Sequence, residues 1–129
     1  MWPEFRKSFP WTLASNLVVW GAIVVNLLPP DDISAFEGTN DKVLHTIGYA
    51  LLAVWFGGLY PKPRYGWVAA GLVALGILIE IAQGAMHLGR TADVRDALAD
   101  CGGIVLGLTL AWIGLGRWAL WVHSLFRRT

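Results

Sequence analysis

Three stretches of this chain space acids, histidines and amides at helical intervals. Asp41, His45 and Tyr49 lie four apart, with Lys42 alongside. Glu80, Gln83 and His87 fall at i, i+3 and i+7. Asp93, Asp96, Asp100, Gly103 and Gly107 fall at i, i+3, i+7, i+10 and i+14. On a helix each set shares one face. A carboxyl group such as Glu80 in low-dielectric surroundings holds its proton more readily, which suits a general acid or base. His45 is the second candidate base, or a nucleophile, and Asp96 completes the catalytic candidates. Lys42, Arg90 and Arg95 could hold a phosphate, with Tyr49 and Gln83 beside them. Asp93, Asp96 and Asp100 with His45 could coordinate a divalent cation, and Asp41 is a further metal candidate. The chain has no GxSxG, HExxH or Walker loop. Ser8, Ser15, Ser34 and Ser124 all lie away from the polar set, which argues against a serine nucleophile. Cys101 is the single cysteine, so it forms no internal disulfide and reads as a small residue in a packed helix.

The elements that must position these residues are apolar. Of 129 residues 56% are hydrophobic and only 15% charged, and the charges leave long stretches free. That distribution belongs to a chain whose surrounding solvent is largely lipid. The expected fold is all-α: a single domain over 1–129, built as a four-transmembrane-helix bundle. The spans run over about 11–28, 43–60, 66–86 and 96–116, each near the roughly 20 residues that cross the hydrocarbon core. The first, which follows Arg6 and Lys7 and ends at Pro29-Pro30, is too long for a cleaved signal and reads as a retained anchor. Residues 117–128 place Trp118, Trp121, Val122 and Leu125 at helical spacing, which predicts an amphipathic helix on the membrane surface with His123 at the interface. Trp2, Trp11, Trp67, Trp118 and Trp121 sit near the ends of apolar runs, where indole rings settle at headgroup level. Trp20 and Trp55 fall inside runs, where they pack or face lipid.

Orientation follows from Lys and Arg. With four spans, Arg6, Lys7, Lys62, Arg64, Arg117, Arg127 and Arg128 share one side, and Lys42, Arg90 and Arg95 the other. The positive-inside rule then places both termini in the cytoplasm and the polar end outside the cell membrane. Every acid except Glu4 falls at or near that outer end. The net charge of +1 gives no reason to expect a nucleic-acid partner.

The same residues carry a family resemblance. Asp41-Lys42-Val43-Leu44-His45 followed by Tyr49, then Ile79-Glu80-Ile81-Ala82-Gln83, then Gly89-Arg90-Thr91-Ala92-Asp93-Val94-Arg95-Asp96 and Gly103-xxx-Gly107 resemble the VanZ-like family over about residues 12 to 116. Members are small four-helix membrane proteins, and the namesake is linked to resistance to the glycopeptide antibiotic teicoplanin. The resemblance implies an envelope-related role and points at Asp41, Lys42, His45, Glu80, Gln83, Arg90, Asp93 and Asp96. It implies no particular reaction. The family usually has Asn where this chain has Asp100, and an added acid there changes the charge balance or cation affinity of the site.

Two functions remain open from these residues. One is an enzyme acting on an envelope lipid or lipid-linked phosphate, a hydrolase or transferase, with membrane lipids as partners and a divalent cation as the candidate cofactor. The other is a binding or envelope-modifying protein without chemistry, which captures a lipid headgroup, an antibiotic or a partner protein. Passage of protons or ions is weaker, because the polar residues stop in the outer third of the spans. Against all three stands a structural role, in which pairs such as Glu80 with Arg90 or His45 with Asp41 only pin the helices together.

Overall fold

The computed structural model describes residues 11–27, 41–86 and 94–127, leaving aside the side chains of residues 26, 27, 41, 42, 83, 86, 94 and 127. Among the described residues there are helices and no strand, as the apolar runs predict. α1 covers Trp11–Leu27, α2 Asp41–Leu59, α3 Tyr65–Met86, α4 Val94–Ile113 and α5 Trp118–Arg127. Short 3-10 turns at Lys62–Arg64 and Leu115–Arg117 join α2 to α3 and α4 to α5. Pro61 and Pro63 stop α2 and start the first turn, since proline cannot donate to a continuing helix.

Two segments, Lys62–Ala82 and Arg95–Ile113, are long and apolar enough to cross a membrane. Trp11–Val25 and Val43–Leu59 are apolar but shorter. The fourth apolar run ends earlier than the sequence predicts. α4 stops at Ile113 because Gly114 adopts φ 155°, a conformation open to glycine and poorly accessible to other residues. The chain then turns into α5 instead of continuing to Gly116.

α2 and α4 form the most extensive helix pair. A Cβ at Gly103 would collide with the Thr46 carbonyl oxygen, and one at Gly107 with that of Ala50. The contacts advance by four residues on both helices, so the two run parallel, backbone against backbone. Small residues permit this approach, and van der Waals packing rewards it. Thr46 Oγ1 donates to the Ala99 carbonyl at 3.3 Å across the same seam. Ile104, Ala53, Leu52 and Tyr49 continue the core toward Val68 and Leu72 of α3.

A second cluster closes the other end. Trp11, Leu59 and Ala119 are buried together, with Trp118 and Trp55 packed against them. Trp118 donates to the Val54 carbonyl at 2.9 Å, and its ring meets Trp11 edge-on at 5.9 Å. Trp55 donates to Ser15 Oγ at 3.0 Å, tying α1 to α2. α5 therefore folds back beneath the bundle. Its Ala119–His123 face is buried, while Trp121, Leu125 and Phe126 point outward. His123 is buried within the protein, because Ala119, one turn earlier on the same face, docks on Leu59.

The seam yields a paired prediction. Gly103→Ala forces the α2 backbone to move, and overpacking of this kind costs about 1–3 kcal/mol. Gly102→Ala meets nothing within 4 Å and gains up to about 1 kcal/mol of helix propensity. Thermal unfolding of the two variants in detergent should shift in opposite directions.

Candidate functional site

The α2–α4 seam determines what lies above it. With Gly103 against Thr46, the preceding turn of α4 brings Asp100 beside His45. His45 Nδ1 and Asp100 Oδ1 are 2.7 Å apart, and both side chains are buried. An ionised Asp100 can only accept a hydrogen bond, so with a neutral imidazole the ring proton sits on Nδ1 and donates to Asp100. The lone pair is then on Nε2, on the opposite edge of the ring.

α3 supplies the next member. Glu80 follows the buried Ile79 near the end of the helix, and its carboxyl lies with His45 and Asp96. One donor atom from each of His45, Glu80 and Asp96 lies within 4.8 Å of the others. His45 is 4% exposed, Glu80 7%, Asp96 5% and Asp100 3%, so the group is enclosed by the three helices. Such a group could hold a metal ion. The donor set suits it: one imidazole and two carboxylates favour a first-row divalent ion over a purely oxygen-ligated one. A ligating histidine commonly donates its other ring N–H to a carboxylate, which fixes the tautomer and raises ligand basicity. Asp100 occupies that position behind His45.

Gly76 makes room for this arrangement. A Cβ there would lie 2.9 Å from Asp100 Oδ2 and 3.3 Å from the Tyr49 hydroxyl. The Tyr49 side chain is buried beside Asp100, and its hydroxyl has no hydrogen-bond partner among the described residues. A hydroxyl buried next to a carboxylate is a donor in reserve for the group.

The structure thus brings together the three catalytic candidates of the sequence, His45, Glu80 and Asp96. It places Asp100, grouped by the sequence with Asp41 and Asp93 as a metal candidate, against the rear nitrogen of the imidazole. Tyr49 is buried next to Asp100, beside Gly76. Arg95 is exposed at the first turn of α4. The side chains of Asp41, Lys42 and Gln83, and all of His87, Arg90 and Asp93, lie outside the described residues. Gly76 is the contributor that spacing does not flag, although it falls one turn before Glu80 on α3. Comparison of the chain with protein-family models, with curated proteins and with solved structures found no match.

Removing the brace behind His45 tests the geometry directly. Asp100→Ala leaves a buried N–H without its charged acceptor, which costs about 1.5–3 kcal/mol of stability. Nitrogen-15 spectra should show the His45 ring protonated at Nδ1 in the parent protein and mixed between tautomers in the variant. An unchanged ring spectrum would contradict the assigned hydrogen bond.

Proposed function

We propose that this chain is a VanZ-like integral membrane protein of four spans that acts on a lipid-linked phosphate at the extracytoplasmic face of the cell membrane. His45, Glu80 and Asp96 hold a divalent cation in this reading, and both termini are cytoplasmic. The observation that carries it is the buried group of one imidazole and two carboxylates, braced by a third carboxylate, at one end of an apolar helical protein. Carboxylates among apolar helices cost several kcal/mol unless positive charge or protons compensate them, so a group of this kind is kept for a function.

Membrane residence is supported by what the helices leave uncovered. Only 22% of the apolar window of Lys62–Ala82 and 33% of that of Arg95–Ile113 is buried, unlike the core helix of a water-soluble domain. Leu17, Trp20, Leu51, Leu78, Ile81 and Val105 all point outward. An apolar surface of that extent is stable against lipid chains and prone to aggregation in water. α1, with 17 residues, is short for a perpendicular crossing, and local thinning of the bilayer accommodates short spans at modest cost.

The chemistry follows from the donor set. A divalent ion held by His45, Glu80 and Asp96 would supply Lewis-acid activation of a water and of a phosphoryl oxygen. With an ion held there, each carboxylate would need to offer it only one oxygen, and the second oxygen of Glu80 would be the group that accepts the proton of an attacking water. The water oxygen bonds to phosphorus as the bond from phosphorus to the lipid oxygen breaks, and the proton passes to that leaving oxygen. Lys42, Arg90 and Arg95 supply positive charge for the remaining phosphate oxygens.

The test places purified protein in liposomes with a panel of lipid phosphates, with Zn²⁺, Mn²⁺ or Mg²⁺ or a chelator, beside Glu80→Gln. We expect phosphate release that requires the ion and falls by at least about 100-fold in the variant. Asp100→Asn should lower ion affinity by about 10–100-fold with the fold retained. A folded, ion-loaded protein that releases nothing from any lipid would sink the enzymatic reading and leave headgroup capture without chemistry.

A further inference from the structure

The apolar face of α3 opposite the carboxylate group is only partly covered. A cleft of about 490 Å³ lies between α1, α2 and α3, walled by Val19, Phe56, Val68, Gly71, Leu75 and Leu78. Its volume falls in the range of small-ligand sites. Arg64, Tyr60 and Trp67 form its rim at the end of α3 remote from Glu80. From Trp67 to Leu78 the cleft follows α3 for about 16 Å at 1.5 Å per residue. That depth equals one leaflet, half of the roughly 30 Å hydrocarbon core.

The rim has the chemistry of a headgroup contact. Arg64 is exposed, and the described carboxylates Glu80, Asp96 and Asp100 all lie at the other end of the helices, so none of them pairs with it. Lys62 adds a second positive charge nearby, held over the Trp112 ring at 4.6 Å. The Trp67 ring is 75% exposed near the start of α3, and in a membrane an indole at a span's end settles at headgroup level. An apolar channel one leaflet deep, ending at an arginine whose charge is not met by any described acid, matches one molecule: a phospholipid with a net negative headgroup.

We propose that this cleft holds one acyl chain of an anionic phospholipid from the leaflet on the Arg64 side, with the lipid phosphate on the Arg64 guanidinium. The proposal rests on the membrane reading given above and not on turnover at the carboxylate group, which lies at the opposite end. Bound there, the lipid would fill the gap beside α1, which packs sparsely on its neighbours.

Gly71 provides a clean probe. A Cβ at this position meets nothing within 4 Å, so a larger side chain enters the cleft and not the protein core. The full chain in detergent would be titrated with phosphatidylglycerol or phosphatidylcholine and read by native mass spectrometry, with ion binding measured on the same samples. We expect one saturable phosphatidylglycerol, preferred over phosphatidylcholine. Gly71→Leu should abolish it with helix content unchanged. Arg64→Gln should cut the preference for the anionic lipid by about fivefold, the worth of one basic residue at a charged surface. Ion binding should be the same in all three proteins, so its failure would count against the carboxylate site alone. A folded Gly71→Leu protein that keeps the lipid, or a parent protein with no saturable lipid, would overturn the proposal.

Discussion

The arrangement depends on how closely the backbones of α2 and α4 approach. Gly103 and Gly107 remove the side chains that would hold the helices apart, and the carbonyls of Thr46 and Ala50 occupy the space. Because the helices are parallel and in step, the contact carries a register with it. The turn above the glycines brings Asp100 to His45, and the turn above that brings Asp96 toward α3 and Glu80. A helix pair separated by larger side chains would leave a 2.7 Å hydrogen bond out of reach. The polar group is therefore a product of apolar packing beneath it.

That dependence explains which parts of the site could be read from residue spacing. Periodicity assigns residues to a helical face, and on α4 the stripe of Asp96, Asp100, Gly103 and Gly107 does face its neighbours. His45 and Tyr49 likewise share a buried face of α2, and Glu80 lies on the buried side of α3. Periodicity does not say which partner a face meets, nor at what height. Asp96 and Asp100 are one turn apart and chemically alike. Only the glycine contact decides that Asp100 meets the imidazole Nδ1 while Asp96 groups with His45 and Glu80. Gly76 is invisible for a related reason: its role lies in the atoms that approach it, Asp100 Oδ2 and the Tyr49 hydroxyl.

The helical class was legible throughout, since long apolar runs broken by proline leave little else to form. The ends were less so. An apolar run through Gly116 looks continuous in composition, yet the backbone at Gly114 turns out of the helix and directs α5 back under the bundle. The amphipathic spacing of Trp118, Trp121, Val122 and Leu125 suggested a helix lying flat with one apolar side. In the fold one side packs on Leu59 and Trp11 through Ala119, and the other, with Trp121, Leu125 and Phe126, is turned outward. Small residues such as Ala119 mark a docking face weakly in any hydropathy pattern, although they allow the closest approach.

The indole of Trp118 is also a matter of timing. It touches Trp11 of α1 and the Val54 carbonyl of α2, so α1 acquires part of its packing from α5. During synthesis α1 leaves the ribosome long before Trp118 exists. Until α5 has been made, Trp11 lacks this partner, and the bundle stays open at that end. The bundle closes like a clasp, with α5 acting as its catch.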